Sequence, residues 1–136
     1  MSRMRSSISK KNKWWIPSER YLELKHFCLQ YETWIERRKD IILSMPNSSE
    51  MEIGRGNVKT DPIVKAVIAA KYYEDLVIIV VSSCKKASED IWWWILEGVT
   101  KDLGYEELRA RGIPCGKDYY YEAYHKFFYI LDKERK

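Results

Sequence analysis

Apolar residues in this chain recur at helical rather than strand spacing. Between Ser18 and Ser44 they fall at Tyr21, Leu24, Phe27, Cys28, Tyr31, Trp34 and Ile35, then Ile41 and Ile42. That is one stripe of a 3.6-residue period. It predicts a single amphipathic helix to about Ser44, with two helices breaking near Tyr31–Glu32 as the alternative. Ser18 is placed to cap it, with Glu19 and Glu23 near its positive end. A second stripe runs through Ile63, Ala66, Val67, Ala70, Tyr73, Val77, Val80 and Val81. Asp61 precedes it as a cap, and Pro62 suits the first helical position. Val77–Val81 is entirely β-branched and by propensity suits a buried strand. No second run of that kind is present to pair with it, so helix is the reading.

The segment "SEDIWWWILEGVTKDLG" reads as a third element, capped by Ser88 and closed by Gly104. On a helix Trp92, Trp93 and Trp94 point about 100° apart. They cannot form one patch; at least one should face the core and another is available as a contact surface. Tyr105–Gly112 is a short helix anchored by Leu108, "GIPCGKD" is a turn, and a final helix runs from about Lys117 to Asp132. Its core side holds Tyr120, Ala123, Tyr124, Phe127, Ile130 and Leu131. The opposite side holds Asp118, Tyr121, Glu122, His125, Tyr129 and Asp132, with Lys117, Lys126 and Lys133 on the flanks. The loop from Ser44 to Asp61 contains "GRG" at Gly54–Gly56, without the strand or the Gly-Lys-Ser/Thr ending of a phosphate loop, and reads as a connector.

The expected fold is all-α: a compact helical bundle with a C-terminal helix-turn-helix over residues 104–132. Residues 1–17 form a flexible basic arm and 18–136 a single helical domain. Trp14 and Trp15, at the end of the arm, are expected to dock on the body.

Composition changes this picture little. A 46% hydrophobic share in 136 residues supports a core without staples. Cys28, Cys84 and Cys115 are widely separated, form no C-x-x-C pair and have no clustered histidine, so neither a zinc site nor a disulfide framework is expected. No cofactor or metal is expected. The run "LVIIVVSSC" is too short to span a bilayer and no secretory pattern opens the chain, so a soluble protein of the bacterial cytoplasm is the expectation.

Charge matters more. The net +4 is concentrated in Arg3, Arg5, Lys10, Lys11 and Lys13, with no acid before Ser18. Setting those five aside leaves 19 basic against 20 acidic residues. Such an arm can hold phosphates by releasing counterions, adding affinity with little sequence choice; a solvated tail is the alternative.

The stretch "GYEELRARGIPCGKDYYYEAYHKFFYILDKER" resembles the C-terminal helix-turn-helix of small phage transcription regulators of the RinA/ArpU type, which resemble the promoter-reading part of sigma factors. "YLELKHFCLQY" and "TDPIVKA" also look like phage proteins of similar length. The helix-turn-helix portion covers about a quarter of the chain. Ahead of Phe127 and Phe128, where such proteins carry several basic residues, this chain has only Lys126. The resemblance implies a regulator that reads duplex DNA with this module; on the wheel Tyr121 and His125 face the open side with Lys117 and Lys126 on its flanks, and Arg3, Arg5, Lys10, Lys11 and Lys13 of the arm would add phosphate contacts. A homodimer is left open. The alternative is a phage-encoded inhibitor or adaptor, such as an anti-CRISPR protein, binding a host or defence protein through its aromatic-rich surface. No arrangement of nucleophile and base, phosphate loop or metal spacing points to an enzyme.

Overall fold

A computed structural model describes residues 10–45 and 61–136. Every regular element among them is an α-helix. In chain order these are α1 (Ser18–Cys28), α2 (Tyr31–Leu43), α3 (Pro62–Ala87), α4 (Trp92–Lys101), α5 (Tyr105–Ala110) and α6 (Lys117–Glu134). Val77–Val81 is thus helical, as the lack of a pairing strand requires. The described chain falls into two units: one holds the residues up to Tyr31 together with Ile78–Lys136, the other Glu32–Val77. The Gly54–Gly56 connector, Arg3 and Arg5 lie outside the described residues.

In the first unit α6 packs against both α1 and α4, and α4 also packs against α1 and α5. Leu24, Phe27 and Cys28 of α1, Val80 and Cys84 of α3, Ile95, Leu96 and Val99 of α4, Leu108 of α5 and Tyr120, Phe127, Phe128 and Leu131 of α6 are all buried. Each large side chain so removed from water contributes about 1.5–3 kcal/mol. Polar bonds fix the register of these helices. Tyr21 and Tyr124 share a buried hydroxyl–hydroxyl bond of 2.6 Å. Arg20 Nε donates to Asp132 Oδ1 at 2.6 Å, and its Nη2 to the Arg135 carbonyl at 3.1 Å, clamping α1 to the end of α6.

In place of the single long helix favoured from the sequence there are two, the alternative reading, with the break at Leu29–Gln30 rather than near Tyr31–Glu32. Leu29 N–H bonds to the Lys25 carbonyl and Gln30 N–H to that of Phe27, each at 3.1 Å. The second of these is an i→i−3 bond that tightens the last turn and ends α1. The apolar stripe continues through Tyr31 and Trp34, so periodicity alone does not register the break. Its start also differs: Pro17, extended at φ −60° and ψ 146°, is the cap, and Ser18 is already helical. A residue before proline is driven out of the helical region, which holds Ile16 outside the helix. Asp61 caps α3 as expected, accepting the Ile63 N–H at 3.0 Å.

Two further boundaries are set by residues other than those expected. Ser88 Oγ accepts the Ile91 N–H at 3.3 Å, so it caps a turn, and α4 begins only at Trp92 with Ile91 as its cap. Asp102, not Gly104, closes α4: it takes the left-handed conformation at φ 57°, and Leu103 N–H returns to the Gly98 carbonyl at 2.9 Å. Gly104 instead opens α5, its N–H donating to Glu107 Oε1 at 2.6 Å. α5 ends in a Schellman turn, with Gly112 at φ 102° and Ile113 N–H bonded to the Leu108 carbonyl at 3.1 Å. Ile113 and Leu108 are both buried there.

Candidate nucleic-acid interface

The described end of the arm is held by one side chain. Asn12 Oδ1 accepts the Trp14 N–H at 2.8 Å, and the Asn12 carbonyl accepts the Trp15 N–H at 3.1 Å. This Asx-type turn delivers the Trp14 ring edge-on to Tyr129 of α6, with centroids 5.3 Å apart and planes at 63°. Docking of the arm through Trp14 is therefore realised on a specific partner. Four lysines gather on these rings. Lys13 Nζ and Lys126 Nζ lie 5.1 and 5.3 Å from the Trp14 centroid, Lys133 Nζ 4.3 Å from Tyr129, and Lys10 Nζ 5.7 Å from Trp15.

Lys126, Tyr129 and Lys133 follow one another at i, i+3 and i+7, so α6 presents them along one face. Each cation–π contact is worth about 0.5–1 kcal/mol at an exposed site. It positions the ammonium group without neutralising it. Among the described residues, none of these four lysines has a carboxylate within ion-pair distance. Of the acids along α6, Asp132 is engaged by Arg20 at 2.6 Å and Glu134 by Lys86 at 3.0 Å, while Glu122, one turn before Lys126, stays exposed. The Asp132 hydrogen bond raises the Arg20 guanidinium pKa. The seam is therefore a concentration of four lysines without an ion pair among the described residues, an arrangement suited to holding phosphates.

Not every residue expected to touch DNA belongs to this seam. Lys10, Lys13 and Lys126 do. Lys11 is exposed beside it. Lys117 is exposed at the first position of α6, about 13 Å along the axis from Lys126 at a rise of 1.5 Å per residue. Tyr121 and His125 are turned to structural work. The Tyr121 hydroxyl accepts the Tyr105 N–H at 3.1 Å. His125, expected on the open face, is only 9% exposed and meets Tyr124 edge-on at 5.5 Å. Phe128 is buried too, while Ile130 is half-buried. The reason is that α6 has neighbours on two sides, so its covered arc is wider than one face of a wheel.

Trp14 is the residue that sequence reasoning left out of the site, and Tyr129, placed on the open side of α6, had no partner assigned. The signal for them was the alternation of lysine and aromatic residues in "KNKWW" and "KFFYILDK". Of the three consecutive tryptophans none is fully buried: Trp92 and Trp94 are half-buried, and Trp93 is 51% exposed. Among the described residues no group of His, Cys, Asp and Glu is arranged to hold a metal ion. No described helix is long and apolar enough to cross a membrane.

No family model, curated protein or solved structure matches this chain.

Proposed function

We propose that the protein is a DNA-binding regulator of transcription that holds duplex phosphates along the seam between its basic arm and α6. The observation that carries this reading is the gathering of Lys10, Lys13, Lys126 and Lys133 on Trp14, Trp15 and Tyr129 with no described carboxylate paired to them. α5, the turn at 111–116 and α6 have the order of a helix-turn-helix. With Tyr121 and His125 engaged internally, the open residues at the start of α6 are Lys117, Asp118, Tyr119 and Glu122. Two of these four are acids, so phosphate contacts supply most of the affinity and base contacts little.

The test is fluorescence anisotropy of a labelled duplex against the full chain over a salt series. Four phosphate contacts give a slope of log K against log salt of roughly −3 to −4, and each lysine lost flattens it by about one. Lys126→Glu with Lys133→Glu should weaken binding across all sequences alike. No affinity at low salt, or a slope those substitutions leave unchanged, refutes the reading.

A second reading is favoured by one observation. Trp93, half-exposed at the start of α4 and edge-on to Trp92 at 6.0 Å, is the residue type that anchors protein interfaces. An inhibitor or adaptor would lose its partner on Trp93→Ala, whereas DNA affinity would be untouched.

A further inference from the structure

The described residues of the unit formed by Glu32–Val77 bury little apolar surface. Among its described residues only Trp34 and Ala70 are buried apolar side chains. By contrast Val64, Val67, Ile68 and Tyr72 of α3 are 51–65% exposed, and Ile35, Ile42 and Leu43 of α2 are open as well. The α3 residues fall at i, i+3, i+4 and i+8, so they line one side of the helix. Exposed apolar residues scattered singly need no explanation, but a continuous stripe marks a contact surface. The four α3 side chains leave on the order of 400 Å² open, about half of the ~800 Å² that each partner contributes to a standard interface.

We infer that this face of α3 is where a second copy of the chain docks, so that two α3 helices cover each other's apolar stripe. The charges favour a copy over a nucleic acid. The described residues of the unit carry six acids (Glu32, Glu36, Asp40, Asp61, Glu74, Asp75) against five bases (Arg37, Arg38, Lys39, Lys65, Lys71). A near-neutral face has no phosphate-seeking field and does not repel itself. The α3 stripe is also self-complementary. Lys71 and Asp75, paired at 2.8 Å one turn apart, both remain largely exposed. A two-fold copy of α3, antiparallel and centred near Tyr73, sets each Lys71 opposite the other copy's Asp75. It also lays each Ile68 against the opposing helix. An isologous contact requires this reciprocity. The inference stands independently of DNA binding.

Sedimentation equilibrium of the full chain from about 1 to 100 μM tests it. The wild type is expected to be a dimer. Ile68→Glu should raise the dissociation constant about a hundredfold, with helical content by circular dichroism unchanged. Leu22→Glu, which places the same charge on an exposed apolar residue of α1, should leave the dimer intact. Lys71→Asp alone should weaken association about tenfold, and adding Asp75→Lys should restore it. That pair still decides the question if Ile68→Glu fails to fold. A wild type that stays monomeric at 100 μM overturns the inference. So does a dimer indifferent to both Ile68→Glu and the charge reversal.

Discussion

Gly98 lies in α4 where an added Cβ would meet the Tyr120 hydroxyl, with the Leu103 carbonyl and Leu108 Cδ1 each 3.4 Å away. Tyr120 cannot move aside easily. Its side chain is fully buried, and its ring is hemmed by Tyr121 at 5.0 Å, Tyr124 at 5.9 Å and Tyr105 at 6.0 Å. Two effects therefore compete in Gly98→Ala. Helix propensity favours alanine by about 1 kcal/mol. Overpacking a closed site costs about 1–3 kcal/mol, and more where the neighbour is rigid. The expected net is a destabilisation of about 1–2 kcal/mol. Tyr120→Phe removes the obstructing atom, which makes no hydrogen bond to the protein. A buried hydroxyl without a partner is costly, so this change alone should be neutral or stabilising by about 1 kcal/mol. In the double variant alanine's propensity is recovered, giving a coupling of about 2 kcal/mol in favour of the pair. Urea unfolding followed by tryptophan fluorescence, with the m-value held constant, reads all three variants. If Gly98→Ala is itself stabilising, or the two changes are additive within about 0.5 kcal/mol, close approach is not what requires glycine here.

Other substitutions probe the bonds between helices. Tyr21→Phe strands the buried Tyr124 hydroxyl, now bonded at 2.6 Å, and should cost about 1–3 kcal/mol in urea unfolding. Tyr21→Phe with Tyr124→Phe should recover much of that loss. Arg20→Ala removes the ion pair to Asp132 and the bond to the Arg135 carbonyl. Both side chains retain about a fifth of their exposure, so solvent screening limits the loss to about 1 kcal/mol, less at high salt. Burial pushes the Cys28 and Cys84 thiols well above their ordinary range. The unfolded chain ionises these thiols from about pH 8.5 while the folded chain keeps its protons, so stability is intact below that pH and falls as pH rises. The loss should be about 1.4 kcal/mol per pH unit for each thiol. Cys84→Ala should flatten the decline of unfolding free energy between pH 9 and 10.5 by about one proton; an unchanged slope would refute the assignment.

Helical class and most element positions were legible because long amphipathic stripes carry their own period. The all-β-branched Val77–Val81 was assigned correctly by asking where its backbone bonds could go, not by its propensity. What escaped were boundaries decided by backbone conformation. The break after Cys28 interrupts no stripe, and Asp102 adopts a left-handed φ that glycine, present two residues on at Gly104, takes more readily. The site was half legible. Lys10, Lys13 and Lys126 stood out by charge, but the wheel treated α6 as a helix with one covered side. Packing by both α1 and α4 withdrew His125, and the Tyr105 N–H bond engaged Tyr121. The pairing of Trp14 with Tyr129 joins residues more than a hundred positions apart, and no local pattern encodes such a contact.

The clamp between α1 and α6 sets an order of events during synthesis. Leu24, Phe27 and Cys28 of α1 are covered in a unit completed by α6, and roughly ninety residues separate the two helices. At about 5–20 residues per second a ribosome takes on the order of 5–20 s to supply them. Until then α1 can pack against α4 but lacks α6, so its apolar side is only partly covered. The step that closes the unit must also bring together distant segments, which slows folding relative to helices that pair with their neighbours. A nascent chain stalled before Lys117 would therefore display a sticky N-terminal helix, and chaperone occupancy should peak there and fall once α6 clears the exit tunnel.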